Sequence, residues 1–323
     1  MGNQYILRFH PVVKSPLWGG KKLYELKGLL PQETQIGEIW EISGLPGDET
    51  IIEGGPYSGL TINELIKNKK ERLLGKACDS TKCERFPLII KLIDAEDDLS
   101  IQVHPDDEMA RKEEGCLGKN ETWYVLEAEK DARIYAGFKK TVSEKEFRDM
   151  IEEGTAAEII EGWDARKHQF YKIEAGTVHA IGKGCLILEI QDCSNLTYRV
   201  FDYNRLGQDG KKRELHVEKA LRAIDFSKQN KGPIDISEKE GVLYRNERFS
   251  IDAISIKADK IHKEDTRGNS FHILSCVEGE IELGIPNSDE WNKIRYGETI
   301  LVPAEFGEYI LKGEGRLLKT YLS

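Results

Sequence analysis

Hydrophobic and polar positions alternate over short stretches through most of the chain. Alternation with a period of two is typical of strands that bury one face, and compact apolar runs are typical of strands buried on both. The segments with either pattern are residues 35–44, 86–94, 98–104, 122–128, 132–138, 169–176, 185–191 and 196–203. Because they are short and closely spaced, they predict a mainly β protein built as an antiparallel barrel or sandwich.

A helical pattern replaces the alternation in a few places, at about residues 61–75, 141–163 and 216–226. Thr61 with Glu64, and Ser143 with Glu146, have the spacing of capping boxes, in which each residue's side chain bonds to the other's backbone N–H. We therefore expect a small helical insertion and a connector attached to a β core.

The composition changes after Phe226. Residues 227–241 are polar and contain Gly-Pro, which indicates a linker, and the strand pattern returns beyond them. A chain of 323 residues is long enough for two domains. The sequence predicts a first domain over 1–235 and a second, smaller barrel over 236–323.

The composition excludes several classes of partner. Hydrophobic residues make up 39% of the chain, charged residues 32%, and the formal net charge is −10. Such an acidic surface disfavours nucleic acid, although a local basic pocket still suits a small anionic substrate. No apolar run is long enough to span a membrane, and the start MGNQYILRFHPVV lacks the pattern of a secretion signal. Six cysteines without CxxC pairs predict reduced thiols and a cytoplasmic location.

The segment LSIQVHPDD carries the main candidate chemistry. Gln102 and His104 share one face of a predicted strand, since side chains two apart point the same way. Glu121 and His179 begin or precede other strands. An amide oxygen, two imidazoles and a carboxylate suit a metal bound by oxygen and nitrogen, for which zinc is the first choice. The alternative is that each histidine is an ordinary hydrogen-bonded core residue. The remaining histidines, His10, His168, His216, His262 and His272, are expected to be structural or exposed.

Several ordered motifs resemble the type I mannose-6-phosphate isomerases of the cupin superfamily, in particular their short bacterial branch. They are PLWGG, SIQVHPDD, KNETWYVL, EAGTVHAIG and LEIQDCSNLTYRVFDYNR, and they extend from about residue 11 to about residue 226. The second predicted barrel lacks a comparable His/Glu cluster, since His262 and His272 lie ten positions apart, and we expect it to bind no metal. The resemblance implies cupin-type jelly-roll barrels, of which the first is catalytic and metal-binding. It also implies one Zn²⁺ per chain, other divalent metals being open, and interconversion of mannose 6-phosphate with fructose 6-phosphate through a cis-enediol.

The resemblance also assigns roles to individual residues. The implied metal ligands are Gln102, His104, Glu121 and His179. The implied catalytic residues are Arg199, Lys119 and Glu189, and the implied substrate-binding residues are Ser100 and Lys91. The residues themselves leave alternatives open, since Glu189 also fits a solvent face, Arg199 a surface ion pair, and Lys91 an outward-pointing ammonium.

Four further residues near these motifs have two interpretations each. Trp18 and Trp40 could form a wall of the sugar site, but packing against the barrel is the more common role of an aromatic side chain. Asp106 and Asp107 follow Pro105 and fit the start of a short helix. They are expected to be structural, or to orient a ligand.

Two other classes of function fit a cupin. A dioxygenase would need a redox iron, and a sugar-binding regulator would have kept the pocket without the chemistry. The simultaneous presence of the metal-ligand set with Lys119, Glu189 and Arg199 favours the enzyme. The expected partners are a hexose 6-phosphate but neither nucleic acid nor membrane, and the chain is expected to be a monomer or homodimer.

Overall fold

The computed structural model describes residues 5–30, 32–78, 84–207, 210–227 and 232–323. The strands in this part of the chain are β1 (Arg8–His10), β2 (Val12–Lys14), β3 (Glu38–Ser43), β4 (Ile51–Glu53), β5 (Leu88–Ala95), β6 (Ile101–Val103), β7 (Glu121–Ala128), β8 (Arg133–Phe138), β9 (Ile160–Asp164), β10 (Gln169–Ile173), β11 (His179–Ile181), β12 (Cys185–Asp192), β13 (Tyr198–Phe201), β14 (Ile234–Asp235), β15 (Gly241–Arg245), β16 (Phe249–Ile256), β17 (His262–Asp265), β18 (His272–Gly284), β19 (Trp291–Arg295), β20 (Thr299–Val302) and β21 (Glu308–Leu322). The α-helices are α1 (Lys22–Leu26), α2 (Ile62–Leu74), α3 (Asp107–Glu114), α4 (Glu144–Glu153) and α5 (Val217–Ala223).

The chain folds into two compact units, and neither is continuous in sequence. One contains residues 1–12, 40–87 and 236–323, and the other contains residues 13–39 and 88–235; we call them the first and the second unit. The sequence-based domains 1–235 and 236–323 follow chain order, and as a division of function they stay a prediction. Residues 40–87, which include α2, belong to the first unit although they lie within the predicted catalytic domain.

The second unit is built from two sheets around one core. One sheet has the order β14-β10-β7-β12-β5 within this unit, and the other has the order β13-β6-β11-β8-β9. Apolar side chains of both sheets meet between them, for example Trp123, Ile134, Ile181 and Ile187. This interior is where we find the candidate site.

The outer face of the second of these sheets is covered by helices. Ile101, Val103 and Ala180 pack there with Phe147 of α4 and Leu221 of α5. Because neighbouring side chains on a strand point in opposite directions, this packing turns the intervening residues of β6 and β11 toward the interior.

The first unit is also mainly β. Its main sheet has the order β15-β16-β21-β18-β19, with β17 paired to β21 and β20 paired to β18, and β1 pairs with β4. Its inner apolar cluster joins residues of several strands, including Ile254, Leu274, Ile300 and Leu317. The predicted strands after residue 241 are therefore confirmed.

The structure confirms the predicted helix starts and corrects one helix end. Both predicted capping boxes are present, at Thr61 and at Ser143. The helix predicted over 141–163 ends at Gly154, which adopts a left-handed conformation that favours glycine. Its second half is wrong, because residues 156–159 form a 3₁₀ turn and β9 follows. Part of the predicted linker is also strand, since β14 pairs with β10.

The cysteines follow the expectation with one exception. Cys116, Cys185, Cys193 and Cys276 are reduced thiols. Cys78 is disulfide-bonded, so the expectation of reduced thiols is wrong there; the lack of CxxC pairs does not exclude bonds at other spacings. Cys83 lies outside the described residues.

Protonation of His272 should destabilise the first unit in acid. Burial lowers the pKa of His272 to about 4, the charge of Lys319 lowers it further, and Glu264 and Asp265 oppose the shift. The pKa of an unfolded histidine is near 6.5. Between about pH 6.5 and about pH 4 the unfolded chain therefore binds more protons than the folded protein, and the free energy of unfolding decreases as the pH is lowered. From pH 7 to pH 5 this residue should cost about 2 kcal/mol.

The measurement is urea unfolding of the wild type and of His272→Phe at both pH values. The difference in unfolding free energy between the two proteins should shrink by about 2 kcal/mol on acidification. His10→Phe, at an exposed histidine of β1, is the matched control and should leave the pH dependence unchanged. A difference for His272→Phe that does not vary with pH would contradict the prediction.

Candidate functional site

The interior of the second unit changes from apolar to polar toward one end, and the change occurs within single strands. Glu121 shares a face with Trp123 on β7, and Lys91 shares a face with Ile93 on β5. On β11, His179 shares a face with Ile181 in the same way. The apolar members hold the two sheets together, and the polar members surround a cavity.

The same rule explains the other site residues. On β6, Ile101 and Val103 pack under the helices, so Gln102 faces inward with its neighbours Ser100 and His104. On β13, Tyr198 and Val200 face the helices, so Arg199 faces the cavity that it lines. The polar face of LSIQVHPDD is therefore an interior face, as predicted.

Two histidines and one carboxylate meet in this interior. His104 Nε2 lies 3.2 Å from Glu121 Oε2, and His179 Nε2 lies 3.2 Å from Glu121 Oε1. The two imidazole centroids are 4.7 Å apart. All three side chains are about 1% exposed. Their candidate ligand atoms lie close enough together to hold one metal ion.

The backbone fixes which ring nitrogen of each histidine faces Glu121. His104 Nδ1 lies 2.8 Å from the carbonyl oxygen of Leu196, and His179 Nδ1 lies 2.9 Å from that of Thr177. A carbonyl only accepts, so each Nδ1 carries the proton and each Nε2 turns a lone pair toward a carboxylate oxygen. Two acceptor–acceptor contacts at 3.2 Å repel unless a cation lies between them.

The protonation states agree with a cation site. Burial lowers the pKa of both His104 and His179, so neither ring is an imidazolium at neutral pH. Burial raises the pKa of Glu121, but the charge of Lys119 is the largest of the opposing causes, which outweigh burial and lower the pKa to about 2. His104 Nε2 and Glu121 Oε1 are buried without a hydrogen-bond partner among the described residues, and a divalent ion would satisfy both.

Gln102 completes the set of residues predicted to hold a metal. Its Nε2 lies 3.3 Å from His179 Nε2, and its Oε1 accepts a hydrogen bond of 3.4 Å from Ser100 Oγ. A half-turn of the amide exchanges oxygen and nitrogen and turns the oxygen toward the cluster. Ser100 Oγ then accepts from the amide nitrogen instead of donating to the amide oxygen, because a hydroxyl group both donates and accepts.

A chain of buried charges continues from Glu121. Lys119 Nζ lies 2.6 Å from Glu121 Oε2 and 3.4 Å from Glu189 Oε1. Lys91 Nζ lies 3.4 Å from Glu189 Oε2 and 3.9 Å from Glu38. Lys91 thus neither turns outward nor stands alone, since it meets carboxylates in the interior.

The two central members of this chain differ in proton affinity. Burial lowers the pKa of Lys119, but the charges of Glu121 and Glu189 outweigh it, so the pKa is raised and the ammonium is retained. Burial raises the pKa of Glu189, against the opposing charges of Lys119 and Lys91. A fixed cation therefore lies beside a carboxylate with increased basicity.

Arg199 lies at another wall of the same cavity. Its Nε donates to Ser100 Oγ over 3.3 Å, and its Nη1 donates to the carbonyl oxygen of Glu214 over 3.0 Å. Burial lowers its pKa, and the charge of Arg213 lowers it further. Two neighbouring guanidiniums in a half-buried wall favour an anion.

The cavity has a volume of about 250 Å³. All of the predicted site residues line it except His104. His104 lies behind this lining, and its Nε2 contacts the carboxylate of the lining residue Glu121. Other lining residues are not among the predicted ones, and they include Glu38, Trp123, Asn195, Thr197, Arg213 and His216. His216, expected to be structural or exposed, accepts a hydrogen bond from the backbone N–H of Arg199. Trp123 lies in an apolar run of the sequence. Its contact with the cavity was not predicted, because alternation alone does not distinguish a residue of a cavity wall from one of the packed core.

The structure distinguishes the interpretations of the two tryptophans and the two aspartates near the motifs. Trp18 lines the cavity and also packs in the core, so it combines both interpretations, whereas Trp40 is a buried residue outside the lining. Asp106 caps α3 by accepting a hydrogen bond from the backbone N–H of Met109. Asp107 accepts one from the N–H of Gly118, so both aspartates are structural.

A β barrel whose interior holds a His/Glu/His cluster beside a lysine–carboxylate chain is typical of a metal-dependent enzyme of the cupin type. Residues 6–148 match the family model for the catalytic domain of type I phosphomannose isomerase, and residues 240–322 match that for the mannose-6-phosphate isomerase cupin domain. The chain is 34% identical to the mannose-6-phosphate isomerase ManA of Bacillus subtilis over 98% of each chain. It is 39% identical to the mannose-6-phosphate isomerase of Streptococcus mutans over 94% of each.

The chain belongs to the type I phosphomannose isomerase family, whose members are aldose–ketose isomerases. Among solved structures it resembles the mannose 6-phosphate isomerase of Bacillus subtilis with a TM-score of 0.84 and 32% identity, covering 98% of this chain and 99% of that one. A protein of Archaeoglobus fulgidus described as a putative mannosephosphate isomerase shares the fold, with a TM-score of 0.81, 24% identity and full coverage of both chains. The predicted family and the mainly β, cupin-type fold are confirmed.

No helix in the described ranges is long and apolar enough to cross a membrane.

Proposed function

We propose that this isomerase interconverts mannose 6-phosphate and fructose 6-phosphate and uses one divalent ion per chain, with zinc as the first candidate. The observation that carries the proposal is the pair of histidine lone pairs directed at a buried carboxylate. The same cavity is also lined by a carboxylate with raised pKa, that of Glu189, and by the two arginines Arg199 and Arg213. The names of the relatives supply the substrate.

His104, Glu121 and His179 would hold the ion, with the amide oxygen of Gln102 as the fourth ligand. The ion would supply Lewis-acid chemistry, since a divalent metal polarises oxygens of a bound sugar. A structure described as a mannose 6-phosphate isomerase bound with zinc and yttrium shares the fold at 16% identity, with a TM-score of 0.74 and coverage of 98% of this chain and 99% of that one. Those two metals belong to that protein, and the chemistry of the donor set supports zinc here.

Glu189 is the proposed acceptor of the proton that moves between C1 and C2. Its pKa is raised by burial, which favours a carboxylate as a base near neutral pH. Lys119 retains its proton between two carboxylates, so it serves as a fixed charge that stabilises the enediol oxygens. Lys91 holds Glu189 from its other oxygen.

Arg199 and Ser100 are the proposed phosphate-binding pair. They already share a hydrogen bond of 3.3 Å in the cavity wall, and a guanidinium fork together with a hydroxyl matches phosphate oxygens. The proposed contact of Lys91 with the substrate stays a prediction, since its ammonium already lies beside Glu189 and Glu38.

Arg199→Ala should lower kcat/KM for mannose 6-phosphate by about a hundredfold, because a misplaced substrate loses that much rate. The measurement is a coupled assay of fructose 6-phosphate formation, with metal content determined in parallel and expected to stay at one ion per chain. Arg166→Ala removes an exposed arginine that is outside the cavity lining and should leave the rate unchanged. Wild-type activity of Arg199→Ala would reject the assigned role of Arg199, and no turnover by the metal-loaded wild type would reject the proposed function.

A cytoplasmic location and a monomeric or homodimeric state complete the proposal. The reduced thiols of Cys185, Cys193 and Cys276, all buried, support the cytoplasm, and the disulfide at Cys78 is the observation against it. Cell fractionation and light scattering test the two statements. Recovery in the secreted fraction, or an assembly larger than a dimer, would contradict them.

A further inference from the structure

The inner face of the first unit also changes from apolar to polar along single strands. On β16, Asp252 shares the inward face with Ile254, and on β21, Lys319 shares it with Leu317, because both pairs lie opposite each other in register. On β18, His272 occupies the same row as Leu274. Apolar residues fill such positions when a barrel needs only to be packed, so charged groups there need another explanation.

The charged residues of β16, β17 and β21 form one connected network. Lys319 Nζ lies 3.0 Å from Glu264 Oε2 and 3.3 Å from Asp252 Oδ2. Tyr321 donates to Asp252 Oδ1 over 3.2 Å, and its ring lies 5.2 Å from the ammonium of Lys319. Each charge has a partner, so the network costs less to bury than single ions would, but it contributes less than an apolar core of the same volume.

A cavity of about 580 Å³ opens onto this network. It is larger than the cavity of the isomerase site, which has about 250 Å³, and no residue lines both. Its lining includes Glu264, His272, Tyr309, Lys319 and Tyr321. A volume of this size accommodates a small organic molecule.

His272 lines the cavity and has an unused polar atom. The residue is 7% exposed, and its Nδ1 shares a hydrogen bond of 2.8 Å with the hydroxyl of Tyr309. Its Nε2 has no hydrogen-bond partner among the described residues. Because burial lowers the pKa of His272 to about 4, the ring is neutral at pH 7, and Nε2 is a single donor or acceptor according to its tautomer.

The charges of the lining decide between classes of ligand. The basic residues Lys263, Arg267 and Lys319 are balanced by the acidic residues Glu264, Asp265 and Glu308. An anion such as a sugar phosphate gains nothing from a wall with no net charge. A neutral ligand with many hydroxyl groups does, because each hydroxyl both donates and accepts and so pairs with carboxylate, ammonium, phenol and imidazole alike.

We propose that this cavity is a second ligand site, which binds a neutral monosaccharide or polyol separately from the isomerase reaction. His272 Nε2 and the Lys319–Glu264 pair contact the hydroxyls, and the ring of Tyr321 packs against the carbon face of the ligand. The proposal does not depend on the substrate of the isomerase site.

The test is calorimetric titration of the metal-loaded full chain with D-mannose at pH 7.5. We expect binding with one site per chain. His272→Phe keeps an aromatic ring at this position but removes both nitrogens and should weaken binding at least tenfold. Asn269→Trp, at an exposed position of the cavity mouth, should also weaken binding at least tenfold without disturbing the interior.

Two controls separate the alternatives. His10→Phe, outside the lining of the cavity, should bind D-mannose as the wild type does, and Arg199→Ala should as well, since it changes the isomerase site only. His272→Phe and Asn269→Trp should both retain isomerase activity, which also shows that they fold. No binding to the wild type, unchanged binding in Asn269→Trp, or loss of binding in Arg199→Ala would overturn the proposal.

Discussion

Glu189→Gln should lower kcat about a thousandfold, with little change in KM. The substitution keeps the shape of the side chain and replaces the carboxylate by an amide, which does not accept the proton at neutral pH. A general base typically contributes between about a hundredfold and ten-thousandfold to the rate. The measurement is the coupled assay with mannose 6-phosphate, together with the metal content of the same sample.

Glu38→Gln is the matched control for this prediction. Glu38 lines the same cavity and lies 3.9 Å from the same Lys91 ammonium, so its loss changes the local charge equally. We expect less than a tenfold effect from it. If Glu189→Gln kept more than a tenth of the wild-type kcat, or if both variants lost activity equally, Glu189 would not be the base.

Removal of the metal should abolish activity, and Zn²⁺ should restore it. Without a cation the carboxylate of Glu121 faces two lone pairs at 3.2 Å, and the ligand oxygens and nitrogens lose their common partner. Chelator-treated protein should therefore have less than about 1% of the activity and a lower melting temperature, because an ion that binds only the folded state stabilises it. Metal analysis before and after treatment checks the stoichiometry of one per chain.

His104→Ala should reproduce the effect of the chelator. It removes one of three buried donors, so we expect less than half of the chains to retain metal after dialysis. His10→Ala, at an exposed histidine of β1, should retain metal and activity. Full activity of the metal-free wild type would reject a metal-dependent reaction, whereas metal retention by His104→Ala would reject only the ligand assignment.

Alternation of polar and apolar residues was sufficient to predict most strands and the shared face of Gln102 and His104. It left the direction of Glu189 and Arg199 open. On β6 the polar members Ser100, Gln102 and His104 do face the interior, because Ile101 and Val103 are buried on the opposite side. The capping boxes at Thr61 and Ser143 fixed two helix starts. These are local signals, in which residues within four positions bond to each other.

Signals that depend on distant parts of the chain were missed. Residues 40–87 join a compact unit whose largest part begins nearly 150 positions after their end, and nothing in their own pattern indicates this. The helical pattern of 141–163 continues past Gly154, although a left-handed glycine ends the helix there. Arg213 and His216 reach the cavity from a connecting segment, which has no periodicity from which a direction could be inferred.

The orientation of the two imidazoles is set by main-chain carbonyls, those of Leu196 and Thr177. Carbonyl groups are present at every position, so the side chains at 177 and 196 do not encode this part of the site. A designer who grafted only the donor side chains onto another barrel would obtain rings free to adopt the wrong tautomer. The transferable unit is therefore a path of backbone, with His104 and His179 as the residues that it orients.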